Sequence, residues 1–213
     1  MFPLAPEGYS FVLVPALAGV VVWTFGYHEV AAVCWLAALA CVAFFRDPGR
    51  SSDAAPEAVL APADGKVLSV GDAPPELAAQ GLPRQISIFM SPANVHVNRA
   101  PISGVVREAR WSAGKKFPAF RDKASELNEH SFVRVEGELG SVAYKQIAGA
   151  LARRVVCDLE AGQPVRRGQR VGIIKFGSRV DLFLPAGAAV EVRPGQRTRA
   201  GVTPVARLAP GRT

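Results

Sequence analysis

The chain has 213 residues, of which 49% are hydrophobic and only 8% aromatic, and its formal net charge is +7. This length provides one compact domain with an appended segment. The positive charge suits an anionic membrane surface, an acidic substrate or nucleic acid. Nucleic acid is the weakest of the three, because the arginines are scattered and neither zinc-finger spacing nor a basic helix is present.

The cysteines exclude two further classes of protein. Cys34 and Cys41 lie in an apolar stretch, Cys157 stands alone, and no CxxC pair occurs. An odd number of cysteines argues against a disulfide-stabilised secreted protein, and the lack of a pair argues against structural zinc. We therefore expect no metal, and a chain that works on the reducing side of a membrane.

Two apolar runs, 11–25 and 30–45, are separated by the polar segment Gly26–Glu29. A single helix over both runs would be about 52 Å long at about 1.5 Å per residue, well beyond a hydrocarbon core of about 30 Å. It would also place a histidine and a glutamate near the bilayer centre. Two short helices with a polar tip fit better. Each is about 23 Å long, which leaves open whether the hairpin spans the membrane or only enters it.

Arg46 and Arg50 follow the second apolar run directly. The positive-inside rule then places this end, and everything after it, in the cytoplasm. A hairpin returns the N-terminus to the same side. We predict a membrane-associated helical hairpin over residues 1–50 and a second domain over residues 51–213, at the cytoplasmic face of the cell membrane.

From Ser51 onward, glycine and proline separate short runs that are rich in valine, isoleucine and phenylalanine. Several runs alternate apolar and polar residues, which is typical of half-buried strands. Many short strands joined by turns predict a mainly β fold, an antiparallel sandwich or barrel, with one short helix near Ala119–Glu129. The predicted strands are Lys66–Val70, Gln85–Met90, Gly104–Arg110, Phe132–Glu136, Ser141–Ile147, Arg170–Phe176 and Val180–Leu184.

A weak internal repeat adds to the fold prediction. The segment Val165–Gly172 resembles Val192–Gly201 if two residues are inserted. Similar turn-and-strand units occur in the small barrels that carry lipoyl or biotinyl groups. We therefore expect lipoyl/biotinyl-like hairpin units within the β fold.

Polar and chemically capable side chains are concentrated in four segments. In the second of them Asn94, His96 and Asn98 alternate, so on a strand their side chains share one face. In the fourth, a glycine interrupts a strand-like run, which marks a bulge or a close backbone approach. Each segment alone is weak evidence, since Asp64-Gly65 is a common turn pair and a lone histidine is usually structural. The segments are 61–66 (APADGK), 91–101 (SPANVHVNRAP), 122–130 (DKASELNEH) and 175–185 (KFGSRVDLFLP).

The joint order of PADG, SPANVHVNRAP, DKASELNE, KQIAGALARR and FGSRVDLFLP resembles the phosphatidylserine decarboxylase family, in its short form with an N-terminal hydrophobic anchor. The resemblance extends from FFRDPGR at 44–50 to FGSRVDLFLP at 176–185. It implies that the chain converts phosphatidylserine to phosphatidylethanolamine through a Schiff base to a covalent pyruvoyl group, the pyruvate cofactor. It also implies that neither a metal nor a diffusible cofactor is needed.

The cleavage site of the family corresponds to Gly177 and Ser178 in this chain, so the resemblance implies a domain that is cut between residues 177 and 178. The hydroxyl of Ser178 attacks the carbonyl of Gly177 and forms an ester. Elimination leaves dehydroalanine, which hydrolyses to the pyruvoyl group and ammonia. A hydroxyl is a poor nucleophile and needs a base. The resemblance assigns this role to Asp64 together with His96.

One position departs from the family pattern. Many members carry a second histidine three residues after the first, where this chain has Arg99, and arginine cannot act as a base. His96 then serves self-cleavage, decarboxylation or both, and His130 is an alternative to the missing histidine.

The resemblance also suggests substrate contacts and partners. We expect Arg99, Asn98, Asn94 and Glu129 to bind the substrate, with Asn128 and Glu129 also orienting their neighbours. Lys115 and Lys116 are further candidates for the phosphate or the carboxylate. The expected partners are an anionic phospholipid, the membrane, and the two cleavage fragments as a large and a small subunit. A homodimer remains open, and nucleic acid is not expected.

Three alternative functions remain. A serine hydrolase would use Ser178, His96 and Asp64, but it would need glycines at the positions of Phe176 and Val180. A non-enzymatic membrane-bound carrier or binding module would display a lysine at a hairpin tip, whereas Lys175 lies in a strand-like run. A decarboxylase of an ether lipid with a serine headgroup would have the same sequence features.

Overall fold

The structure, a computed structural model, describes residues 4–114, 128–149, 154–175 and 178–209. Within it the chain forms two compact units, Met1–Gly49 and Arg50–Thr213. Most of the predicted helix Ala119–Glu129 lies outside the described residues, as do Lys115, Lys116 and Gly177.

The N-terminal unit is the predicted pair of helices. A 3-10 turn, Pro6–Gly8, leads into α1, Tyr9–Thr24, and a short tip connects it to α2, His28–Phe44. The tip turns at Gly26, whose φ is 85°. The helices approach closely at Gly19, where a side chain would collide with Trp35 at 2.5 Å. The small residue therefore allows the two helices to pack tightly.

The outward faces of both helices are apolar. Val14, Leu17, Val33 and Leu36 are each more than 60% exposed. The stretch Pro6–Thr24 is long and apolar enough to cross a membrane, and α2 is a shorter apolar helix. Apolar surface of this extent is typical of a segment that contacts lipid.

The second unit is mainly β and antiparallel, as predicted, and all seven predicted strands are present with slightly different bounds, although Phe176, the predicted end of one, lies outside the described residues. A single helical turn, α3, covers Pro75–Ala78. The other strands were not predicted, because they are too short to show an alternating pattern. The strands are β1 Ala58–Leu60, β2 Gly65–Asp72, β3 Arg84–Met90, β4 Val97–Arg99, β5 Gly104–Ser112, β6 His130–Gly137, β7 Gly140–Ala148, β8 Val155–Cys157, β9 Pro164–Val165, β10 Arg170–Ile174, β11 Ser178–Leu184, β12 Ala189–Val190, β13 Arg197–Thr198 and β14 Pro204–Arg207.

Within the described ranges the strands form three sheets. The largest has the order β13-β2-β3-β11-β7-β6-β5-β9, and two smaller ones have the orders β4-β10-β8 and β1-β14-β12. The large sheet is curled into a half-barrel. Its strand β11 lies between β3 and β7, and all seven of its residues are buried.

The two faces of β11 are both covered. Val180, Leu182 and Leu184 point into the main core. Successive side chains on a strand point to opposite faces, so Arg179 and Phe183 lie on the other side. Phe183 packs there in a smaller apolar cluster with Leu82, Phe132 and Ala143.

A turn of the form x-x-Gly-Gln recurs and explains the internal repeat. In Arg166–Gln169 the Arg166 N–H donates to Gln169 Oε1 at 2.9 Å, and Gly168 has a φ of 79°. Two further bonds tie this turn to Ala100. The N–H of Gly168 donates to the Ala100 carbonyl, and the N–H of Ala100 donates to the carbonyl of Gln169. The same bonds form in Arg193–Gln196 against Val67, and in Glu160–Gln163 against Val106.

A fifth residue is inserted in a fourth copy, Arg199–Thr203. Here the Thr203 hydroxyl replaces the glutamine and accepts from Arg199 N at 2.9 Å. Gly201 N donates to Ala61 O, and Ala61 N donates to Thr203 O. This copy places the main chain of Ala200 beside Asp64, where Ala200 N donates to Oδ1 at 2.7 Å.

Candidate active site

Ser178 is the first residue of β11 and lies in the interior. Its strand neighbours are Met90 at the end of β3 and Ala148 at the end of β7. The side chain is fully buried, and the hydroxyl donates to Met90 Sδ at 3.2 Å. A thioether is a weak acceptor, so among the described residues the partner of this hydroxyl is a weak one.

A chain of buried polar side chains lies on the same face of the sheet. Ser131 Oγ donates to Gln146 Oε1 at 2.6 Å, and Gln146 Nε2 donates to Asn98 Oδ1 at 2.8 Å. Asn98 Nδ2 in turn contacts Met90 Sδ at 3.7 Å. The amide groups therefore satisfy one another in a region where an unpaired polar group would be costly. Gln146 and Ser131 were not predicted, although Gln146 is a polar residue within the apolar end of β7.

Asp64 is buried immediately before β2. Its carboxylate forms a two-pronged ion pair with Arg50, with Nη2 to Oδ2 at 2.8 Å and Nη1 to Oδ1. Oδ1 also accepts the N–H of Ala200 at 2.7 Å. The following residue, Gly65, has to be glycine because a Cβ there would lie 2.1 Å from the carbonyl oxygen of Phe89. Arg50 was not predicted as a site residue.

His96 is fully buried directly before β4. Its Nδ1 lies 2.9 Å from the carbonyl oxygen of Asn94. A carbonyl can only accept, so Nδ1 carries a proton, and in the neutral ring Nε2 is the nitrogen that can take one up. The His96 carbonyl accepts the N–H of Ile174, three residues before Gly177, so His96 lies beside the strand that leads to the predicted cut.

The predicted catalytic segments converge around Pro62 and Met90. The carbonyl of Pro62 accepts the N–H of Arg99 at 3.0 Å and contacts Asn98 Nδ2 at 3.4 Å, so the segment before Asp64 runs beside β4. Met90 contacts both Asn98 and Ser178. The structure thus brings these three segments to one end of the sheet, where Asn128 of the remaining segment also lies.

Asn94 does not share a strand face with His96 and Asn98. It lies in a turn, where its Oδ1 accepts from both the N–H and the hydroxyl of Ser91, at 2.9 and 2.7 Å. The alternation fails because this asparagine caps its own turn, a common use of short polar side chains. The strand begins only at Val97.

Arg99 and Glu129 both contact the main chain. Arg99 Nη1 donates to Gly168 O at 3.1 Å. Glu129 Oε1 accepts the N–H of Val155 at 2.9 Å and contacts Trp111 Nε1 at 3.3 Å. Their substrate contacts, like those of Asn94 and Asn98, stay predictions.

Asn128 holds the strand partner of the serine. Its Nδ2 donates to the carbonyl of Ala148 at 2.6 Å. Ala148 is the residue opposite Ser178 on β7. This contact fits the expectation that Asn128 orients a neighbour.

His130 lies on the opposite face of the sheet from the Ser178 side chain. It pairs with Ile147, which pairs with Arg179, and paired residues of antiparallel strands share a face. Its Nδ1 lies 2.8 Å from Asn128 O. Burial lowers the pKa of His130, the Asn128 carbonyl opposes this, and the charges of Lys145 and Arg110 lower it further.

A cavity of about 640 Å³ lies on that opposite face, lined by His130, Arg110, Lys145 and Arg179 among others. Arg179 forms a buried ion pair with Asp181, at 2.8 Å between Nε and Oδ1. Arg110 pairs with Glu108 and lies over the Phe132 ring, 5.5 Å from its centroid. The cavity is thus polar, with neighbouring acids offsetting part of its positive charge.

The fold and the site define a mainly β domain that carries a buried serine at the start of a central strand and follows an apolar helical hairpin in the chain. The model of the phosphatidylserine decarboxylase family matches residues 37–206 of this chain. A phosphatidylserine decarboxylase proenzyme of Magnetococcus marinus is 43% identical over 210 residues, which cover 96% of this chain and 95% of the relative. The proenzyme of Nocardia farcinica is also 43% identical, over 97% of this chain and 88% of the relative.

A third relative, the phosphatidylserine decarboxylase proenzyme of Chlorobium phaeovibrioides, is 47% identical over 78% of this chain and 75% of its own length. The chain belongs to the phosphatidylserine decarboxylase family and is an enzyme. This result confirms the resemblance and excludes the serine hydrolase and the non-enzymatic carrier.

Proposed function

We propose that this enzyme decarboxylates phosphatidylserine to phosphatidylethanolamine with a pyruvoyl group that it makes from Ser178 by cutting its own chain before that residue. The observation that supports this best is the position of Ser178. It is a fully buried serine at the first position of a central strand, held between Met90 and Ala148. In a buried position, bulk water competes less with Ser178 Oγ for the neighbouring carbonyl than it would at the surface.

In the proposed self-cleavage, Ser178 Oγ attacks the carbonyl carbon of Gly177. The bond from that carbon to the Ser178 nitrogen breaks, which frees an amine and leaves an ester on Oγ. Loss of the Ser178 α-proton then expels the 1–177 chain as a carboxylate. The remaining dehydroalanine tautomerises and reacts with water to give ammonia and a ketone.

Within this scheme the chain's own residues orient groups and move protons. His96 uses Nε2 to accept and return a proton, while the Asn94 carbonyl holds Nδ1. Asp64 supplies a fixed negative charge beside the site. The pyruvoyl group would supply a ketone that binds the amine of the lipid's serine and a neighbouring conjugated carbonyl that withdraws the electron pair released with carbon dioxide. The burial of Ser178 and the weak hold on its hydroxyl fit a position where such a group is formed from the chain.

We further propose that the apolar helices α1 and α2 lie in the cell membrane with the β unit on the cytoplasmic side. Large exposed side chains such as Leu17 and Leu36 support this. At the end of α2, Arg46 bonds the carbonyl of Ala43. Arg50 is enclosed in its ion pair with Asp64, so Arg46 is the better candidate for a flanking charge at the membrane surface.

The test of the proposed function is the mass of the purified chain. We expect two fragments, residues 1–177 and 178–213, and the smaller should start with a ketone and lack an N-terminal amine. A Ser178→Ala variant should stay whole and inactive on phosphatidylserine vesicles. Ser87→Ala removes a hydroxyl from another buried serine, on the neighbouring strand β3, and should be cut and active like the parent.

An uncut, active parent chain, or a cut Ser178→Ala variant, would overturn the pyruvoyl mechanism. Activity on a serine-headgroup ether lipid but not on the diacyl lipid would instead replace the substrate and leave the mechanism in place.

A further inference from the structure

Arg50 is almost enclosed, although it follows an apolar segment that would suit an exposed flanking charge. Its side chain is 10% exposed, and that of its partner Asp64 is 11% exposed. Besides the carboxylate, Nη1 contacts the carbonyl of Ala200 at 3.0 Å. The guanidinium therefore joins the carboxylate to the turn Arg199–Thr203.

The Arg50–Asp64 ion pair is bidentate, which is the geometry in which arginine recognises a carboxylate most specifically. Both Asp64 oxygens are engaged, Oδ1 by Arg50 and Ala200 N, and Oδ2 by Arg50. A planar guanidinium that binds both oxygens fixes the rotation of the carboxylate as well as its place. A carboxylate has about four lone-pair directions, and within the described part of the chain these bonds fill three of them, which leaves one on Oδ2.

Asp64 belongs to the proposed self-cleavage machinery, so its orientation matters for the cut. We propose that Arg50 is a positioning residue for self-cleavage, which acts by holding the Asp64 carboxylate in one orientation. This inference rests on the proposed function. The inference assigns Arg50 to the self-cleavage of the precursor. The decarboxylation that follows the cut should therefore depend less on Arg50.

The chain offers a matched control in Arg167. This arginine also ties the start of the β unit to a turn, because its Nη1 and Nη2 donate to the carbonyls of Ala58 and Ala54 at 3.1 and 2.7 Å. Its described bonds go to main-chain carbonyls and not to Asp64. Replacing it removes an arginine clamp of similar kind and leaves the carboxylate in place.

The experiment follows cleavage of newly made full-length chain in the presence of phosphatidylglycerol vesicles, by gel time course. Arg50→Ala should be cut at least about tenfold more slowly than the parent. A well-placed general acid or base accelerates a reaction by about 10²–10⁴-fold, and a misplaced group loses part of that acceleration. Arg50→Lys should recover part of the rate. Added methylguanidinium should speed up Arg50→Ala and leave Arg167→Ala unchanged.

Arg167→Ala should melt at a lower temperature than the parent yet be cut at the parent's rate. If Arg50→Ala is cut as fast as the parent, or if neither lysine nor methylguanidinium restores a slowed cut, the positioning role is wrong. Should Arg50→Ala fail to fold, Arg50→Lys alone decides: it must be cut faster than Asp64→Asn and more slowly than the parent. A parent chain that is never cut would instead overturn the proposed function.

Discussion

At the scale of single residues, the Ser178 hydroxyl donates to a sulfur atom, Met90 Sδ, within the described part of the chain. A strong acceptor would fix the hydroxyl in one direction, and moving it toward a carbonyl would then cost most of a hydrogen bond. Met90 imposes a smaller cost and still fills the space. The contact therefore suits a group that has to turn before it reacts.

His130 supplies a prediction at this scale. Its pKa is lowered in the folded state below the ordinary 6.5, so the unfolded chain binds the proton more readily. The stabilising effect of the neutral ring is present above about pH 6.5 and is lost as the pH falls through the folded pKa. The melting temperature of the parent should fall from pH 7.5 to pH 5.5 by about 1–3 °C more than that of His130→Gln, a small gap because the residue is only partly buried.

Differential scanning calorimetry of both proteins in the same detergent measures this gap. An equal pH dependence in the two proteins would show that His130 does not contribute to it. Because His130 faces away from the Ser178 side chain, the variant should still be cut.

At the scale of elements, the x-x-Gly-Gln turns depend on a backbone conformation that favours glycine. Gly168 has a φ of 79°, whereas Gly187 has an ordinary φ and no atom within 4 Å of the place that a Cβ would take. Gly168→Ala should lower the free energy of unfolding by about 1–2 kcal/mol, because a side chain is disfavoured in the left-handed region. Gly187→Ala should change it by less than about 0.5 kcal/mol.

Urea unfolding followed by tryptophan fluorescence gives both values. If the two variants lose equal stability, the turn at Gly168 does not need its glycine. The comparison is clean because each substitution adds one methyl group to a loop.

The elements also show what the sequence can predict. Long strands such as β3 and β7 alternate over enough residues to be recognised, and both were found within two residues at each end. Strands of two or three residues, such as β8 and β13, depend on partners distant in the chain and carry no periodicity of their own. The repeat was detected in two turns, and the third, Glu160–Gln163, was missed because it lacks the arginines of the others.

The residues of the site also fall into those that the sequence predicts and those that only the structure reveals. Ser178, His96 and Asp64 stand in motifs, so a resemblance points to them. Arg50 was interpreted as a flanking charge because sequence does not reveal that its side chain turns inward to a carboxylate fourteen residues away. Gln146 became significant only when Ser131 and Asn98 were found beside it.

At the scale of the whole molecule, the proposed cut divides the chain but not the sheet. The segment after residue 177 contributes β11 to the middle of the large sheet, and β13 and β14 pair with β2 and β1. We expect the fragments 1–177 and 178–213 to elute together from gel filtration in mild detergent. They should separate only in a denaturant such as about 6 M guanidinium chloride.

Reversed-phase separation and mass measurement of the eluted peak identify the two fragments. A small fragment that elutes alone under native conditions would mean that the strand pairing of β11 does not survive the cut.

Chain ends usually lie at the surface and fray. A cut ahead of β11 would create a terminus inside a sheet, with strand ladders on both flanks. Strand pairing on both sides would restrain the motion of such an end, so the first atoms of the small subunit would stay in register with Met90 and Ala148. A reactive carbonyl located there would be held in place by the strand pairing of the sheet.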